Sequence, residues 1–138
     1  MSREAADALT QKALVAGGWA DMRPIYRTML RNLKLRDPSA FEEASRRFAS
    51  EIEPAISAGE REPVDAWVDY GAWIATRLGG GRLVKLDETG LAEPGEARPQ
   101  PGNVLLFLPE SGDGAAIPIL QPAQPSAAQE AALELLTR

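Results

Sequence analysis

The sequence is 138 residues long, 44% hydrophobic and 25% charged, with a net charge of −5; that is a globular composition, long enough to bury a real core. It contains neither cysteine nor histidine, which removes disulfides, thiolate nucleophiles, Ser-His-Asp triads and the usual transition-metal ligands together. Catalysis would fall to carboxylates, Lys, Arg, Tyr or an oxygen-held metal, so an enzyme is not the expected reading, and no cofactor or metal is implied.

The opening MSREAADALTQKA alternates charge with alanine and lacks the apolar run of a signal peptide. No stretch approaches the roughly 20 apolar residues of a membrane span. A soluble cytoplasmic protein without a membrane partner is expected. The acidity is uneven, with residues 1–81 at net −1 and residues 82–138 at net −4. Phosphate backbones would be repelled, so nucleic acid is an unlikely partner.

The first half reads as four helices. Ser2 is placed to cap the first, which runs to about Ala16, stops at Gly17-Gly18 and presents an alanine-rich face with Leu9 and Leu14. Asp21 caps the second, with Pro24 in its first turn and Met22, Ile25, Tyr26, Met29 and Leu33 at helical spacing. Asp37-Pro38 is a cap followed by proline at the first helical position. The third helix shows Phe41, Ala44, Phe48, Ile52 and Ile56 on one face, and Pro54 should kink or end it. Pro63 opens the fourth, and Gly79-Gly80-Gly81 closes it.

After the glycines the period changes. RLVKLDETGLAEP reads as a strand from Arg82, a turn at Asp87–Gly90 and a short return strand. Residues 93–102, EPGEARPQPG, form a Pro/Gly-rich connection expected to be mobile. VLLFLP at 104–109 is an apolar run of buried-strand length, and ESGDG is a loop. AAIPIL at 115–120 is a second such strand, assigned to an edge because Pro118 cannot donate to a ladder. Ser126 and Gln129 make a capping-box pattern before a helix over 126–137 carrying Ala132, Leu133 and Leu136. The expected architecture is α+β, one domain over 1–138: a helical part at 2–78, a small antiparallel sheet at 82–120 and a closing helix.

The fourth helix, within PVDAWVDYGAWIATRLGGG, concentrates the aromatic residues. On a wheel with Trp67 at the origin, Gly71, Ile74 and Leu78 fall within about 40°. Tyr70 and Trp73 widen the apolar arc on one side, and Val64, Val68 and Ala75 on the other. A helix apolar over so much of its circumference is a core helix, with Trp67 at its centre. Tyr70, Trp73 and Arg77 nevertheless stand at the arc's margin, where a partner or an apolar ligand could meet them, and Gly71 permits a close approach.

Arg23, Arg27, Arg31 and Lys34 form a basic stripe on the second helix. It reads as a phosphate-tracking helix or a surface for an acidic partner, or else as a face neutralised by Glu42, Glu43, Glu51 and Glu53 of an antiparallel third helix or simply left in solvent. Asp65 and Asp69 are too few to hold a cation. The triple glycine follows a helix and precedes no Lys-Ser/Thr, so it is no phosphate loop. The expected function is therefore a non-catalytic module acting through another protein or a second copy of itself, with Tyr70, Trp73, Arg77, Arg23, Arg27 and Arg31 as candidate binding residues. The alternative is a small-molecule domain with an aromatic, apolar pocket between the fourth helix and the sheet.

Overall fold

The structure, a computed structural model, describes residues 3–110 and 114–138. The expected Ser2 cap and the centre of the ESGDG loop lie outside them. The fold is α+β. Helices α1 (Arg3–Ala16), α2 (Arg23–Arg36), α3 (Pro38–Arg47), α4 (Glu53–Ser57) and α5 (Pro63–Gly79) precede strands β1 (Gly81–Leu86), β2 (Ala92–Pro94), β3 (Val104–Pro109) and β4 (Ile117–Leu120). A short helix, α6 (Ala127–Leu136), follows the sheet.

Local chemistry explains most of the boundaries. Helix α1 ends in a Schellman motif: Trp19 N–H reaches Leu14 O and Gly18 N–H reaches Val15 O, with Gly18 at φ 70°. Its buried face is Ala6, Thr10 and Leu14, whereas the expected Leu9 is 41% exposed. The Thr10 hydroxyl makes this possible by donating to Ala6 O. The N-cap of α2 is Met22, without a side-chain cap bond, and the expected cap Asp21 stands one residue before it and accepts the Arg23 N–H; the Asp37 carboxylate does cap α3, accepting the Ala40 N–H.

Pro54 does not end the third helix. It has no N–H for the turn before it, and its ring would crowd the preceding carbonyl. The chain widens instead into a π-helical turn at Phe48–Ile52, where Glu53 N–H reaches Phe48 O, and α4 continues through the proline. Ala44, Phe48, Ile52 and Ile56 all stay buried.

The sheet is antiparallel in the order β2-β1-β3-β4. Glu93 and Pro94, expected in the connection, pair as part of β2 with Lys85 and Val84. Beyond them the chain is tied down at Gly95, whose N–H reaches Leu83 O. Strand β4 starts at Ile117 and occupies an edge, as Pro118 requires. The Asp87 carboxylate accepts from the Thr89 N–H, the Thr89 hydroxyl and the Leu91 N–H, which fixes the β1–β2 turn.

Strand β3 is an unbroken apolar run because both its faces are covered. Leu105 and Phe107 join the core of the helices, while Val104 and Leu106 join Leu86 and Ala116 beneath Ala132, Leu133 and Leu136 of α6. Gln129 closes the expected capping box with Ser126 and is also buried, donating to Leu86 O and Gly102 O.

One close approach joins the helical layer to the sheet. A Cβ on Gly71 would fall 2.5 Å from the Tyr26 ring, so the α2 tyrosine lies directly on the α5 backbone. Its hydroxyl continues to β4 and donates to Ile119 O at 2.9 Å. The β3–β4 register pairs Leu105 with Leu120 and Leu106 with Pro118, leaving Ile119 as a bulge residue without a ladder partner. Gly71→Ala should therefore destabilise the protein by about 2–3 kcal/mol through overpacking, and Tyr26→Phe by about 1–2 kcal/mol through the orphaned carbonyl. Urea melts read by circular dichroism check both; a Gly71→Ala variant as stable as the parent would show that the ring does not lie there.

Candidate functional site

Trp67 sits at the centre of the apolar arc of α5, yet it is only partly buried, while Ile74 two turns on is 0% exposed. The difference is axial. Beside Trp67 lies a half-open cleft of about 380 Å³ between α1, α2, α3 and α5. Phe48 and Trp67 stand at 5.3 Å between ring centroids, Tyr26 and Trp67 at 5.6 Å, Phe48 and Tyr70 at 5.5 Å, and Trp67 meets Tyr70 edge-on at 6.2 Å. Leu30 and Phe41 flank these rings, and Arg3, Asp7, Arg23 and Arg27 stand around them.

The polar handles of this aromatic cluster are all engaged. Tyr26 donates to Ile119 O, Tyr70 to Ala44 O at 3.0 Å, and the Trp67 indole N–H to Thr10 Oγ1 at 2.9 Å. What these residues offer the cleft is ring surface without a free donor. Burial raises both tyrosine hydroxyls above their ordinary range; Tyr70 is pushed up to about 12, with Arg3 and Arg47 pulling slightly against it.

The arginines differ in how far they are committed. Arg23 grips both Asp21 carboxylate oxygens at 2.8 Å and also bonds Gln11 and Asp7 O, which staples α1 to α2. Its side-chain hydrogen bond holds the Asp21 carboxyl below the usual range, with burial working against it. Arg3 lies 3.9 Å from Glu53 and over the Phe48 ring. The Arg27 side chain is exposed and makes no hydrogen bond or ion pair among the described residues, though its charge helps to hold the Asp21 carboxyl low.

Three of the six candidate residues, Tyr70, Arg23 and Arg27, thus meet at one cleft. Arg31, one turn beyond Arg27, is exposed and outside it. Trp73 and Arg77 belong to another face of α5, where Arg77 lies 4.9 Å and Arg47 5.4 Å from the Trp73 centroid and Arg77 pairs with Glu43 at 3.7 Å. The expected neutralisation of the basic stripe does not occur: Glu43, Glu51 and Glu53 pair instead with Arg77, Arg47 and Arg3. Lys34 lies over the Phe41 ring. The space between α5 and the sheet holds a different cavity, of about 500 Å³, edged by Leu35, Leu78, Phe107 and Ile117 with neither Trp nor Tyr. The aromatic cleft is among the helices, and the close approach that Gly71 allows is taken by Tyr26.

Sequence reasoning missed Arg3, Thr10 and Phe48 at this site, because α1 and the π-helical turn contribute them across long separations. Arg23, Tyr26, Arg27 and Leu30 did carry a readable signal, since their spacing places them on one strip of α2. Among the described residues, no group of three or more acidic side chains stands where it could hold a metal ion, and no helix is long and apolar enough to cross a membrane. No family model, curated protein or solved structure matches the chain.

Two measurements test this geometry. Trp67→Ala should cost about 3 kcal/mol, because it removes the ring joining Tyr26, Phe48 and Tyr70 and strands the Thr10 contact. Trp73→Ala should cost about 1 kcal/mol, the scale of a surface cation–π pair. Equal losses in denaturant melts would place both rings in one core. The second test is alkaline titration. The folded protein keeps tyrosine protons that the unfolded chain gives up, so this stability is intact below about pH 10 and falls as pH rises. For Tyr70 the fall continues to about 12. Tyrosinate absorbance from the chain's two tyrosines should rise together with the loss of helical signal; its appearance in the native protein near pH 10 would contradict their burial.

Proposed function

We propose that this chain is a non-catalytic binding domain whose aromatic cleft receives the apolar body of a small molecule. The observation that carries the reading is the state of Trp67. A large ring at the centre of a core helix's apolar arc is left partly uncovered, in a concavity within the size range of small-molecule sites. The tied hydroxyls and indole N–H favour hydrocarbon over polar groups, because a sugar or peptide group placed there would leave its own donors and acceptors unpaired.

Protein contact is the second reading, with another protein or a second copy as partner. Trp73 supports it, a partly exposed tryptophan flanked by two guanidiniums on a separate face.

The three tryptophans give a direct test through their indole N–H resonances in a nitrogen–proton correlation spectrum. Titration with phenylbutanol, a neutral aryl-alkyl probe, should shift the Trp67 signal saturably and leave Trp19 and Trp73 in place. A shift confined to Trp73, or none up to millimolar probe, would remove the cleft from consideration.

A further inference from the structure

We infer that the cleft is selective for a small organic carboxylate, with the apolar body on the aromatic rings and the carboxylate held by Arg27. The inference rests on the binding reading above and specifies its ligand class. Three arginines and one aspartate line the cleft, and Asp21 and Glu53 stand against two of those arginines, Arg23 and Arg3.

Of those arginines, Arg23 is spent on Asp21, Gln11 and Asp7 O. Arg3 has Glu53 at 3.9 Å and the Phe48 ring beneath it. Arg27 alone has no hydrogen-bond or ion-pair partner among the described residues. A lone surface guanidinium is ordinary when water surrounds it. This one lines an apolar concavity, where a planar fork of donors can take both oxygens of a carboxylate whose hydrocarbon end is desolvated nearby.

The same arrangement rejects other classes. An ammonium group would have the Asp7 carboxylate in its favour, against three guanidiniums that line the same cleft. A sugar or nucleoside would find the hydroxyls of Tyr26 and Tyr70 and the Trp67 N–H already bonded within the protein. A volume of about 380 Å³ holds on the order of a dozen water-sized groups, which suits a compact aryl or branched-alkyl acid better than a folded peptide segment.

Calorimetric titrations of the full chain with phenylbutyrate and phenylbutanol test the assignment, using the parent, Arg27→Ala and Arg31→Ala. Phenylbutyrate should bind the parent at least about tenfold more tightly than the alcohol, and added salt should narrow the gap. Arg27→Ala should erase most of that preference and leave the alcohol's affinity unchanged. Arg31→Ala, outside the cleft, should leave both affinities as they are. Because Arg27 is exposed, its removal leaves the core intact, and a matching melting temperature confirms it. Equal binding of the two probes to the parent, or a preference that survives Arg27→Ala, overturns the carboxylate assignment while the binding reading stands. Failure of both probes at millimolar concentration overturns both, and binding only by an acidic, aromatic-bearing peptide transfers the cleft to a protein partner.

Discussion

The Tyr26 ring occupies the space that a side chain at position 71 would need, and much of the architecture follows from that. A Cβ at Gly71 would sit 2.5 Å from the ring, so α2 and α5 can pack this closely only because position 71 has none. The ring then aims the hydroxyl past α5 to the carbonyl of Ile119, the one β4 residue that the bulge leaves without a ladder partner. A buried hydroxyl or carbonyl without a partner costs roughly 1–3 kcal/mol, so the tyrosine and the bulge satisfy each other. One side chain thus sets the spacing of two helices and fixes the sheet against them. A second tie acts at the same end of the molecule, where Ala20 N–H reaches Gln121 O and Ala123 N–H reaches Gly18 O.

On the far side of the sheet the problem is different. Helix α6 buries little apolar area of its own: Leu135 is 68% exposed, and Ala132, Leu133 and Leu136 are only partly covered. It is held by polar contacts at both ends. Gln129 and Ser126 bind Leu86 O, Gly102 O and Glu88 O near its start, and Leu136 O accepts the Ala116 N–H at its finish. Those bonds let a short, weakly amphipathic helix shield Val104 and Leu106, and so allow β3 to be apolar on both faces.

What was legible in the sequence is what depends on near neighbours. The Asp37 cap, the Ser126–Gln129 capping box, the glycine stop after α1 and the edge position of the Pro118 strand each involve only a few adjacent residues and known sterics. What was not legible involves a third element or the third dimension. A wheel puts Trp67 at the centre of its arc, but it has no coordinate along the helix axis, so it cannot show the cleft that opens at that level. The glutamates of α3 and α4 were assigned to the basic stripe by sequence proximity, whereas Glu43 and Glu53 in fact face Arg77 and Arg3. Thr10 was invisible as a core residue because its polar group is cancelled by Ala6 O, one turn back, and by Trp67, fifty-seven positions on.

The same three bonds shape both the fold and the cleft. Tyr26 ties α2 to β4, Tyr70 ties α5 to α3, and Trp67 ties α5 to α1. Phenylalanine in place of the two tyrosines would fill similar volume but would leave Ile119 O without the Tyr26 donor and Ala44 O with the Phe48 N–H alone. Polar aromatics therefore hold the elements together, and in doing so they spend the donors of their own rings within the protein. The result is an apolar surface made from amphipathic side chains, with charge confined to the arginines and aspartate beside it. As the ligand site we propose, it would discriminate by what its rings do not offer. A polar group would find the tyrosine hydroxyls and the indole N–H already bonded, hydrocarbon would find ring surface, and a carboxylate would find in Arg27 a guanidinium without an ion pair.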